Sequence, residues 1–108
     1  MSKASKTKTK FYYGNKIDSQ GRIALGKLFD AEKCHKVVVY VDESDMNKIY
    51  VAPYLGLEEI PEYALRAVDI KGRVILPKAL RRNATGALIG KRAGTELILW
   101  LQFDMPNK

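Results

Sequence analysis

Ile17-Asp18-Ser19-Gln20-Gly21-Arg22-Ile23-Ala24-Leu25-Gly26-Lys27 and Val68-Asp69-Ile70-Lys71-Gly72-Arg73-Val74-Ile75-Leu76-Pro77-Lys78 lie 51 positions apart and align without a gap. Asp, Gly, Arg, Leu and Lys recur in register, and Ile17/Val68 and Ile23/Val74 are conservative matches. This spacing marks an internal duplication, which sets the architecture before any other reading. Two copies are too few for a solenoid, and a half of about 50 residues struggles to bury a core alone. The two halves are therefore expected to share one core.

Each copy carries the same local signal. Asp at the first position of a tight turn and Gly at the fourth predict a type I turn followed by a left-handed glycine, the device that closes a hairpin with a bulge. Asp18 and Gly21 fill those positions in the first copy, Asp69 and Gly72 in the second. The flanking residues, Lys16-Ile17 with Arg22 to Leu25 and Ala67-Val68 with Arg73 to Leu76, favour short strands. Pro77 to Ala84 reads as a short helix with Pro in its first turn and cations at its end. Its counterpart over Gly26 to Glu32 is weaker, because Gly stands where Pro would start the helix.

Working outward, Val37 to Val41 and Lys48 to Ala52 predict two strands joined by the polar stretch Asp42 to Asn47. Thr95 to Phe103 predicts one comparable strand in the second half, with a short or missing return strand because Pro106 follows closely. The resulting organisation is a basic tail over 1–10, a first repeat over 11–54, a linker over 55–64 containing Gly56 and Pro61, and a second repeat over 65–108.

The chain has 108 residues, too few for a multidomain enzyme, and its 46% hydrophobic content is sufficient for a core. Nineteen basic against twelve acidic residues give a net charge of +7 and point to a polyanionic partner. The distribution is uneven. Residues 1–10 carry four lysines and no acid, and residues 11–53 balance six bases with six acids. From Ala64 to Arg92 there are eight bases and the single acid Asp69. The sole cysteine, Cys34, excludes an intramolecular disulfide, so the expected address is the cytoplasm. Neither a signal core nor an apolar run of membrane-spanning length stands out, and no membrane partner is expected. Cys34-His35 alone cannot complete a zinc site or a catalytic dyad, and no phosphate-binding glycine loop is present, so no metal, cofactor or enzyme activity is expected.

The segment Arg66 to Arg82, with its repetition 51 positions earlier, resembles the DNA-binding segment of the AbrB, MazE and MraZ superfamily. The duplicated Asp-x-x-Gly-Arg within one chain is most similar to the MraZ arrangement. The resemblance covers about residues 15 to 103. It implies a mainly β fold, a swapped-hairpin barrel built by two tandem repeats with one or two short helices. It also implies a cytoplasmic, nucleoid-associated transcriptional regulator that binds double-stranded DNA and assembles as a homo-oligomer. The family's DNA-contacting arginines fall on Arg66, Arg73, Arg81 and Arg82. In the first half Asn15 replaces Arg66, and Asp30 and Ala31 replace Arg81 and Arg82, so only Arg22 remains, beside Lys16 and Lys27. That departure implies an asymmetric reader, or one whose second half dominates in a homodimer.

The residue chemistry fits this reading. A two-stranded ribbon enters the major groove, where arginine pairs with guanine or phosphate. The bland alternative for Arg22 and Arg73 is an Asp–Arg pair stapling each turn. Lys71 adds charge at the second turn. Lys78 and Arg82, four positions apart, share a helix face able to grip phosphates, whereas Arg81 and Arg82 diverge by about 100°. Two other readings stay open. One is an antitoxin-like module that also binds a toxin; the other is a sequence-indifferent architectural or RNA-binding protein.

Overall fold

The computed structural model describes residues 10–26, 29, 34–56, 59–93 and 96–103. The fold is mainly β. Its strands in chain order are β1 (Lys10–Lys16), β2 (Arg22–Ala24), β3 (Lys36–Val41), β4 (Lys48–Pro53), β5 (Leu65–Ala67), β6 (Arg73–Ile75), β7 (Gly86–Ala93) and β8 (Glu96–Gln102). One four-residue helix, α1 (Lys78–Arg81), follows β6, and a 3-10 turn at Glu62–Ala64 precedes β5. Six strands form one antiparallel sheet in the order β1-β7-β8-β4-β3-β5, while β2 and β6 pair separately as a two-stranded ribbon.

The core lies between the inner face of the sheet and the inner side of the ribbon. Alternation along the strands puts Val37, Val39, Ile49, Val51, Ala87, Ile89, Leu97, Leu99 and Leu101 on one side, where they pack with Ile23, Leu25, Val74 and Leu76 of the ribbon. No buried polar or charged residue interrupts this cluster among the described residues.

The pairing crosses between halves at four of the six ladders, and only β3–β4 and β7–β8 pair within a half among the described residues. Strand β1 pairs with β7, β3 with β5, β4 with β8 and β2 with β6. Exchanging each of β1 to β4 with the strand four places later reverses the sheet order onto itself. Two ladders mark where the corresponding two-fold axis passes. In the ribbon Ile23 stands opposite Val74, its own counterpart 51 residues on. In the sheet the corresponding ladder is the central one, β4–β8, where Ile49 stands opposite Leu99.

Three expectations need correction. The sheet is not a closed barrel, because no continuous ladder joins its edges β1 and β5 among the described residues. The ribbon lies between those edges instead, and its links to them are discrete: Asn15 Nδ2 donates to the Ala24 carbonyl at 2.7 Å, and Val68 forms an isolated bridge with Val74. With only three residues each, β2, β5 and β6 are too short to continue the ladder around. The return strand of the second half is not missing; it precedes β8 as β7, where a glycine-containing and cationic stretch was not expected to be extended. The helix over 77–84 shrinks to α1, and the expected helix over 26–32 falls largely outside the described residues. Among the described residues no helix is long and apolar enough to cross a membrane.

Candidate nucleic-acid interface

The two repeated turns are atomically equivalent. Asp18 Oδ1 accepts from the backbone N–H of Gln20 and of Arg22, both at 2.9 Å, and Asp18 Oδ2 accepts from Arg22 Nε at 2.8 Å. Asp69 does the same with the N–H groups of Lys71 and Arg73 at 2.9 Å and with Arg73 Nε at 2.8 Å. Gly21 (φ +84°) and Gly72 (φ +76°) take the left-handed conformation that lets the chain reverse, which a side chain would strain. Both carboxyls are held below their ordinary value, first by the N–H donated from Arg22 or Arg73. The stapling pair anticipated as the bland alternative is therefore present. It engages only Nε, so the terminal guanidinium nitrogens of Arg22 and Arg73 have no partner among the described residues. A carboxylate that holds Nε fixes the guanidinium plane and leaves its paired donors for a second acceptor.

The ribbon displays these two arginines on one side. Directly opposite residues on an antiparallel ladder point the same way. Arg22 faces Ile75 and Ala24 faces Arg73, while Ile23 and Val74 turn inward and are sealed. The outer surface of the ribbon is thus Arg22, Ala24, Arg73 and Ile75, with the arginine side chains about one-third exposed at 30% and 31%. The turns sit at opposite ends of the ribbon, because the Leu76 N–H donates to the Gly21 carbonyl and the Leu25 N–H to the Gly72 carbonyl, both at 2.9 Å. Each arginine is therefore drawn toward its own end.

The remaining expected residues divide. Arg81 joins the ribbon: its Nε donates to the Leu76 carbonyl at 3.3 Å, and its guanidinium lies against the Gly21 turn, where an added Cβ would stand 2.6 Å from Nε. A helix from the second half thus supplies a cation to the first turn. Lys16 at the end of β1, Lys71 in the second turn and Lys78 at the start of α1 are exposed. Lys27 lies outside the described residues. Arg82 does not share a face with Lys78, because it leaves the helix at φ +50°. Its guanidinium donates to Asn47 Oδ1 at 2.5 Å and to the Met46 carbonyl at 3.2 Å, and it lies 5.1 Å from the Phe103 ring centroid. Arg66 stands opposite Val37, which belongs to the core, and its Nε is buried with no hydrogen-bond partner among the described residues. It is set apart from the outer surface of the ribbon.

Sequence reasoning did not single out Ile75, which is 47% exposed directly across the ladder from Arg22. Period-two alternation outward from the buried Val74 was the signal available for it. Among the described residues no group of His, Cys, Asp and Glu is arranged to hold a metal ion. No protein-family model matches the chain, and no curated protein matches it either.

Proposed function

We propose that the protein binds double-stranded DNA as a transcriptional regulator, its two repeats interlocking in the swapped-hairpin manner of the AbrB, MazE and MraZ superfamily. The single observation that carries this reading is the β2–β6 ribbon. Its inner side, Ile23 and Val74, is committed to the core, while its outer side presents two carboxylate-braced arginines. A ribbon of this width fits the major groove, and braced guanidiniums are suited to the paired acceptors on guanine. The exposed Lys16, Lys71 and Lys78, with Arg81 beside the first turn, would neutralise backbone phosphates, which position a protein without reading sequence. Assembly of several chains would multiply this contact along tandem sites.

The test is selection of bound duplexes from a random pool at physiological salt, with the mass of the protein in solution measured alongside. A recovered motif, with an affinity that falls steeply as salt rises, supports the reading; each phosphate contact contributes about −0.9 to the slope of log K against log salt. The Arg22→Ala/Arg73→Ala pair should erase the preference for the motif while leaving most of the salt slope. A pool that shows no enrichment sinks the proposal in favour of a sequence-indifferent architectural protein.

A further inference from the structure

The two-fold relation within the ribbon is imperfect where a groove would meet it. The axis through Ile23 and Val74 exchanges Arg22 with Arg73, but it also exchanges Ala24 with Ile75. Each arginine has one of these residues directly across the ladder, with Cβ atoms about 5 Å apart. Arg22 is paired with Ile75, and Arg73 with Ala24. Ile75 is a branched aliphatic side chain left 47% exposed among cations, whereas Ala24 offers a single methyl close to the backbone. The turns differ in the same sense: Arg81 covers Gly21 at one end, and Lys71 at the other stands where the first turn has Gln20.

Resting on the duplex reading of this ribbon, we propose that one chain reads both halves of an imperfect inverted repeat, and that Ile75 distinguishes the halves by contacting the 5-methyl group of a thymine next to the base met by Arg22. The thymine methyl is the apolar group on the base edges of the major groove, and apolar side chains are what contact it. Ile75 is long enough to meet it from the ribbon surface, and Ala24 has three fewer side-chain carbons. The half under Arg22 therefore requires thymine at that step, and the half under Arg73 does not.

The experiment takes the duplex motif recovered by selection and replaces each thymine in turn with deoxyuridine, which removes only the methyl group. Binding is measured for the wild-type chain, Ile75→Ala and Ala24→Ile. Ile75→Ala retains the fold because alanine already occupies the equivalent position 24, and an unchanged melting temperature verifies this. One thymine, in one half of the motif, should cost the wild-type chain about fourfold in affinity when its methyl is removed, the value of one buried carbon. That sensitivity should vanish in Ile75→Ala, and a second sensitive position should appear in the opposite half with Ala24→Ile. Titration should count one chain per inverted repeat. A motif that tolerates uracil everywhere, sensitivity that survives Ile75→Ala, or two chains per repeat overturns this inference and leaves the duplex reading intact. An unenriched pool overturns both.

Discussion

The turns at 18–22 and 69–73 keep the same three hydrogen bonds to the Asp carboxylate while sharing only three residue identities, Asp, Gly and Arg. Between those fixed points Ser19-Gln20 faces Ile70-Lys71, and the Ile70 side chain is 96% exposed. The comparison separates two kinds of constraint. Asp, Gly and Arg are bound to the backbone geometry of the reversal, where carboxylate oxygens satisfy N–H groups and glycine removes a steric cost. The intervening positions contribute to the turn only a backbone N–H, from Gln20 or Lys71, which any residue but proline supplies, so their side chains are available to differ in what they present outward. Equivalence of the turns is then a property of the scaffold, and their inequality a property of the surface.

The largest effect should come from breaking what the two turns share beneath them. Ile23 is 1% exposed and meets Val74 at the point where the halves cross. Ile23→Ala should destabilise the protein by about 2–5 kcal/mol, since removal of buried carbons leaves a space that the surrounding side chains fill only in part. Chemical denaturation is the measurement. A loss below about 1 kcal/mol would mean that the ribbon does not depend on this contact.

A smaller effect should test the equivalence itself. Gly21→Ala and Gly72→Ala each force a side chain into the left-handed region, at about 1–2 kcal/mol. Gly21 has a second neighbour, the Arg81 guanidinium, but this is the end of a flexible side chain and can move aside. The two variants should therefore melt within a few degrees of each other. A large cost confined to one of them would show that the turns are not interchangeable supports.

The turns were legible in the sequence because their chemistry is local: an acid, a glycine and an arginine within five residues dictate one reversal. The long β3 and β4 strands were legible for a similar reason, as Val37 and Val39 alternate with more exposed neighbours and Ile49, Tyr50 and Val51 form a short buried run rich in strand-favouring residues. Strand β7 was not, because Gly86, Gly90, Lys91 and Arg92 suggest a loop. It is held extended by partners on both sides, with Gly90 between Phe11 and Ile98 and the Phe11 ring 5.5 Å from Trp100 across that strand. Such support depends on residues nearly 80 positions away, so no local window contains it. The role of Arg82 was hidden for the same reason: its partners Met46 and Asn47 lie 36 and 35 positions earlier. Of the candidate site, the arginines on the ribbon were readable from the repeat, while the outward Ile75 and the placement of Arg81 over the opposite turn required the cross-half pairing.

Arg82 sharpens the comparison from the helix side. The residue 51 positions before Arg82 is Ala31, which carries no side-chain donor. Arg82→Ala should cost about 1 kcal/mol in stability, because the contact is charge-assisted but partly exposed. If Arg82 serves the scaffold, Asn47→Ala should produce a similar loss, and the double variant should cost clearly less than the two losses added together. Full additivity, with weakened DNA binding in Arg82→Ala alone, would return Arg82 to the interface.

The smallest effect is the acid response of the two turns. Asp18 and Asp69 carboxyls are depressed below 3.8 in the fold by the N–H groups of Arg22 and Arg73. A depressed carboxyl contributes stability that is fully present above its unfolded value and disappears as pH falls through the folded one. Both turns should therefore hold their contribution at neutral pH and lose it together in the window below 3.8. Asp42, drawn to about 2 chiefly by the Tyr50 hydroxyl, should titrate within the same acid range or lower. Carboxyl-detected NMR titration resolves the three groups. Because Asp18 and Asp69 accept the same set of donors, their curves should overlay within the scatter of the measurement. Separated midpoints would place an electrostatic difference between the turns in the scaffold itself, rather than only in the side chains that each turn presents.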